Sequence, residues 1–191
     1  MHRLPEIMCF AGPNGSGKST ITKSVLPFVR GKYINADEIQ TATLCPIIDA
    51  AIKAEELREL ALKNNEDFAF ETVLSTTRNV ELLKRAKKQG YFIRCIFILT
   101  DNPNINVERV CCRVSLGGHD VPKDKIISRY YKSLNMISEI YPLCDRLNIY
   151  DNSTEELQRI FKKKDEEIFF FPNTYWSKKR ISELINKCED V

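Results

Sequence analysis

The sequence predicts an α/β fold, with a central parallel sheet of about five strands and helices on both faces. Apolar runs alternate with helical patterns along the chain, the signature of a helix-covered parallel sheet. Phe92-Ile93 and Cys95–Leu99 lack polar alternation, as a strand buried on both sides does. Residues 12–19, Gly-Pro-Asn-Gly-Ser-Gly-Lys-Ser, follow a short apolar run and open a helix.

Taken in order, the expected strands are Glu6–Ala11, Lys32–Ile34, Asp67–Val73, Tyr91–Thr100 and Arg146–Tyr150. A helix starts near Lys18 and stops at Pro27. Helical spacing of Ile48, Ala51, Ile52, Glu55, Leu57, Leu60 and Ala61 predicts a second helix between Pro46 and Asn64. Ser75, Thr76 and Thr77 offer caps for a third, which carries Val80, Leu83 and Ala86 and stops at Gly90. Val107, Val110, Cys111 and Val114 make the buried face of the next. A long amphipathic helix after Asp124 presents Ile127, Tyr130, Tyr131, Leu134 and Ile137 on one face. Beyond Thr154 the reading is a helix, an apolar Ile168–Phe171 run and a last helix to Lys187. Trp176 and Phe169–Phe171 read as core. Residues 1–191 are expected to form a single domain, with a lid at about 102–130 and a C-terminal extension at about 154–191.

The octet has the chemistry of a phosphate loop, and with it the fold class narrows to a P-loop NTPase. Its glycines let several backbone N–H groups converge on one anion, and the following helix adds its positive end. Gly12, Pro13, Asn14, Gly15, Ser16, Gly17, Lys18, Ser19 and Thr20 are the candidate ATP-binding residues. Lys18 reaches the β- and γ-phosphates, and the Ser19 hydroxyl is the candidate Mg²⁺ ligand.

Ligands of such folds bind beyond the carboxyl ends of the strands, so the polar residues there come next. The second strand ends in Asn35-Ala36-Asp37-Glu38 and the third in Glu71-Thr72. Asp37 is the candidate base for an acceptor hydroxyl; the competing reading is a helix cap. Glu71, among apolar neighbours, needs a substrate hydroxyl or a basic partner. Asp101 is a weak candidate for a metal-binding acid. Arg109 and Arg113, four apart, share one side of their helix, and Arg129 rides on the next. The Leu116–Pro122 loop between them reads as a glycine-hinged lid, or else as an ordinary turn. His119 within it is a candidate substrate contact.

Composition sets bounds. The 29 basic and 26 acidic residues leave a net charge of +3, which makes nucleic acid an unlikely partner. The run Lys162-Lys163-Lys164 reads as a solvated helix end. Seven cysteines without C-x-x-C spacing read as reduced thiols, so a cytoplasmic location is expected. No apolar stretch is long enough to span a membrane.

These segments together resemble the zeta-toxin family of phosphate-loop kinases. The resemblance is carried by Phe10–Thr20, Tyr33–Ile39, Phe70–Ser75, Arg109–Val121, Ile126–Tyr131 and Tyr150–Ser153. It implies ATP- and Mg²⁺-dependent phosphorylation of a sugar hydroxyl on a nucleotide sugar such as UDP-N-acetylglucosamine. By the resemblance, Lys18 and Ser19 hold ATP and Mg²⁺, Asp37 is the catalytic base, and Glu71 contacts substrate. Arg113 and Arg129 correspond to the phosphate-binding arginines, and Asn152 to a base contact. Glu38, Thr72, Arg109 and His119 complete the candidate substrate contacts. The implied partners are the nucleotide-sugar substrate and an antitoxin protein encoded separately. A kinase of another small-molecule or polynucleotide hydroxyl, and a nucleotide-dependent binding switch, are the alternatives.

Overall fold

The computed structural model describes residues 3–118 and 120–186. Its strands are β1 (Glu6–Ala11), β2 (Lys32–Ile34), β3 (Phe68–Thr72), β4 (Phe92–Leu99), β5 (Arg146–Asp151), β6 (Gln158–Lys164) and β7 (Glu167–Phe170). The helices are α1 (Lys18–Val25), α2 (Ala36–Thr43), α3 (Ile47–Lys63), α4 (Arg78–Lys88), α5 (Pro103–Ser115), α6 (Lys123–Asn135), α7 (Ile137–Ile140) and α8 (Lys178–Ile185). The sheet runs β2-β3-β1-β4-β5-β6-β7. Its first five strands are parallel, and β6 and β7 join antiparallel. β1 lies between β3 and β4, where successive crossovers leave in opposite directions. That divergence opens a crevice at its carboxyl end.

Strand alternation sorts the core into two layers. Ile7, Cys9 and Ala11 of β1 and Ile93, Cys95, Phe97 and Leu99 of β4 face one side, with Leu83 of α4, Ile137 of α7 and Ile181 of α8. Met8, Phe10, Ile96 and Ile98 face the other side, where Ile21 and Val25 of α1 pack on them. Helices cover both faces, but unequally.

Several expectations are corrected. The region after Thr154 is a β-hairpin rather than a helix. Asp165 (φ 54°) and Glu166 turn the chain between Lys164 and its cross-strand partner Glu167. This two-residue turn holds β7 against β6, β6 pairs with β5 on its other side, and that tertiary pairing overrides local helical preference. Lys162–Lys164 therefore lie on a strand. On α3 the inward face is Ala50, Ala54, Ala61 and Leu62, while Ile48, Ile52, Leu57 and Leu60 are exposed. Small residues let α3 approach closely, so its larger side chains point outward. Cys111, Tyr131 and Phe169 are likewise exposed rather than core, whereas Trp176 is buried. The last helix ends at Ile185 and Lys187 lies outside the described residues.

Candidate functional site: a phosphate loop facing paired carboxylates

The loop between β1 and α1 is held from two sides. Asn106 of α5 donates from Nδ2 to the Asn14 carbonyl at 2.5 Å, and Asn152 after β5 donates to the Ser16 carbonyl at 2.8 Å. Arg109 in turn donates to the Asn152 carbonyl at 2.7 Å. Gly15 (φ 75°) and Gly17 (φ 94°) permit this approach. A Cβ on Gly15 would stand 2.5 Å from the Asn106 carbonyl oxygen, and one on Gly17 2.3 Å from the Asn152 amide nitrogen.

Lys18, only 7% exposed, donates from Nζ to the Pro13 carbonyl at 2.9 Å. Burial lowers its pKa to about 8, although Glu71 and, more weakly, Asp37 pull it upward. Glu71 closes the other wall at the end of β3. Ser19 Oγ donates to its Oε1 at 2.9 Å, and Thr22 Oγ1 and Tyr33 Oη donate to Oε2 at 3.2 and 3.1 Å. Tyr33 accepts a 2.7 Å bond from Asn35 Nδ2, and its phenol is held neutral, chiefly by burial. Asn35 caps α2 by accepting from the Asp37 N–H at 2.8 Å. Asp37 therefore sits in the first turn of α2, and its neighbour Asn35 is the cap. A continuous chain of hydrogen bonds runs from the Asp37 backbone to the Ser19 hydroxyl.

These groups line one cavity of about 440 Å³, which takes in Lys18, Ser19, Asp37, Glu71, Arg109 and Arg113. Asn14, Gly15, Gly17, Thr20 and Thr72 also reach it. Gly12, Pro13 and Ser16 are buried. Arg129, Glu38 and Asn152 are not among its lining residues; the Asn152 amide braces the loop from behind. His119 lies outside the described residues. Asp101 does not serve as the metal-binding acid; it pairs with Arg180 of α8 at 2.5 Å, fastening the C-terminal helix to the end of β4.

Sequence reasoning missed Thr22, Asn35 and Asn106 as site-building residues and quoted Tyr33 only within a motif. Thr22 had a readable signal, since it lies four residues after Lys18 on the same helix face. Among the described residues no cluster of three or more His, Cys, Asp or Glu side chains could hold a metal by itself. Ser19 and Glu71 together offer hard oxygen donors, which fits a Mg²⁺ ion completed by substrate phosphates and water.

A phosphate loop at the switch point of a parallel sheet, facing a carboxylate that holds its serine, defines a phosphate-loop nucleotide-binding protein. Residues 48–166 match the zeta toxin family model, and the chain belongs to that family. That match begins after the phosphate loop, so loop and family are separate lines of evidence. Together they support an ATP-dependent kinase. A Haemophilus influenzae protein, itself uncharacterised, is 33% identical over 127 residues, covering 63% of this chain and 89% of that protein. A chain of the AvrRxo1-ORF1:AvrRxo1-ORF2 complex with sulphate ions shares the fold (TM-score 0.69, 12% identity, 95% of this chain). The present chain spans 64% of its length. The same complex has been solved with ATP (TM-score 0.65, 12% identity, 95% of this chain and 64% of that one). The PezAT chromosomal toxin-antitoxin system of Streptococcus pneumoniae contains a further similar chain. It has a TM-score of 0.60 at 18% identity, covering 97% of this chain and 89% of that one.

Proposed function

We propose that this kinase phosphorylates a hydroxyl of a small molecule, with a nucleotide sugar such as UDP-N-acetylglucosamine as the acceptor. The observation that carries the reading is the shared cavity. Lys18 and Ser19 stand on its loop side, and Asp37 stands at the start of α2, where an acceptor would enter. The acceptor oxygen attacks the γ-phosphorus in line, the bond to the β-phosphate oxygen breaks, and ADP leaves. Asp37 takes the proton of the acceptor hydroxyl. Lys18 and Arg113 neutralise charge on the transferring group, and Mg²⁺ would supply further neutralisation at the β- and γ-oxygens beside Ser19 and Glu71. Glu71 thus acts here on the metal side, through the Ser19 hydroxyl, rather than as a contact for the sugar.

In this reading residues 1–191 act as one kinase domain, residues 102–130 serve as a lid and residues 154–191 as a structural extension. Likeness to a chain of a toxin-antitoxin system favours a separate antitoxin protein as partner. No helix among the described residues is long and apolar enough to cross a membrane. The test is mass spectrometry of products after incubation with Mg²⁺-ATP and a panel of nucleotide sugars. Lys18→Ala and Asp37→Asn serve as controls. A phosphorylated sugar nucleotide that both substitutions abolish is the expected result. ATP hydrolysis without any phosphorylated sugar sinks the nucleotide-sugar assignment.

A further inference from the structure

The sheet face that carries α1 becomes basic beyond that helix. Parallel and antiparallel registers align Met8, Arg94, Arg146 and Lys164 as one row across β1, β4, β5 and β6. Side chains directly opposite in neighbouring strands share a face, so three cations stand side by side about 5 Å apart. The next row in register adds Asn148 and Lys162, and Arg159 borders the same hollow. The hollow encloses about 440 Å³. Its apolar floor is Met8, Ile96 and Val25, the last residue of α1.

Two acids stand near these cations. Glu6 lies 3.2 Å from Arg94 Nε, and Glu167 pairs across the strands with Lys164. Arg94 and Arg146 are both held over the Phe92 ring, 5.6 Å from its centroid. The Nε atom of Arg146 is buried without a hydrogen-bond acceptor, and that of Arg94 has only the Glu6 carboxylate of its ion pair beside it. A buried guanidinium N–H without an acceptor is costly, and a phosphate oxygen is its natural partner. The concentration of charge is local, because the chain as a whole carries only +3.

We propose that this hollow is a second anion site, separate from the phosphate loop, for a compact small molecule carrying two or more phosphates. Cations in a row match a diphosphate or triphosphate, and the apolar floor matches a flat ring or sugar attached to it. The enclosed volume suits a small molecule better than a polynucleotide, which needs a groove running along many nucleotides.

The experiment measures binding of GDP and inorganic tripolyphosphate to the full chain carrying Lys18→Ala, which disables the phosphate loop. One saturable site per chain is expected, weakened at least tenfold by Arg94→Ser with Arg146→Ser. Because those arginines also pack on Phe92, a second pair, Lys162→Ser with Lys164→Ser, tests the site from strand β6. It should weaken tripolyphosphate at least fivefold without lowering thermal stability. Absence of saturable binding at millimolar concentration overturns the proposal, as does binding that neither pair weakens. A single-stranded oligonucleotide that binds more tightly than GDP through the same residues also overturns it, in favour of nucleic acid.

Discussion

The sheet holds cations in two places and treats them in opposite ways. At the carboxyl end of β1 a single lysine, Lys18, is buried, faces Glu71 and Asp37, and has its pKa lowered to about 8. On the open face of β4–β6, Arg94 and Arg146 are half-buried and Lys164 is exposed; Arg94 forms an ion pair with Glu6, and Lys164 lies across the strands from Glu167. The first arrangement makes one charge responsive: a triphosphate arriving there replaces lost hydration and restores the proton. The second sets several cations side by side across neighbouring strands. Burial and partner choice, rather than the count of basic residues, separate a tuned site from an attractive surface.

The sharpest way to break this contrast is to remove the tuned charge. Lys18→Ala should lower kinase turnover at least a thousandfold and abolish measurable ATP binding, read by isothermal titration. Asp37→Asn should keep ATP affinity within about threefold while turnover falls by roughly 10²- to 10⁴-fold, the usual share of a general base. A matching loss of ATP affinity would mean that Asp37 serves the nucleotide rather than the acceptor.

Tyr33→Phe tests the hydrogen-bonded chain between the two walls. Glu71 would lose one of three donors and Asn35 its acceptor, so turnover should drop about tenfold, with stability down by about 1 kcal/mol. Unchanged turnover in steady-state assays would reduce the chain to a packing detail. Smaller still is the proton balance. At pH 8.5 ATP binding should take up roughly three-quarters of a proton, and near none at pH 6.5, since Lys18 regains its charge. Titration calorimetry in buffers of different ionisation enthalpy reads this directly.

The same pKa links Lys18 to stability. Its folded value lies below the ordinary lysine value of 10.5, so between pH 8 and 10.5 the unfolded chain binds a proton that the native chain does not. Stability therefore rises with pH across that window, and the full cost of burying the charge is present below pH 8. Lys18→Met should raise stability by about 1–2 kcal/mol at pH 7 and by less at pH 10, measured by urea unfolding.

The parallel strands were legible because burial on both sides leaves uninterrupted runs such as Cys95–Leu99. The phosphate loop was legible because its backbone geometry demands glycine at fixed positions. The hairpin of β6 and β7 was not, because lysines and Gln158 carry no strand period and only pairing with β5 organises them. The buried face of α3 was not readable from the spacing alone, because close packing selects Ala50 and Ala54 over the bulkier Ile48, Ile52 and Leu60. Within the site, Lys18, Asp37 and Glu71 announced themselves by chemistry at strand ends. Asn106 could not, and Asn152 was read only as a base contact and not as a brace of the loop, since each acts here through a backbone carbonyl distant in the chain.

The Asn152 contact also bears on synthesis. The phosphate loop is synthesised first, and the amide that holds the Ser16 carbonyl is encoded 136 positions later. A nascent chain has its glycines and its lysine long before it has the strut that sets their shape. Competence to grip a nucleotide thus arrives only once β5 has docked beside β4, long after the loop itself has been made.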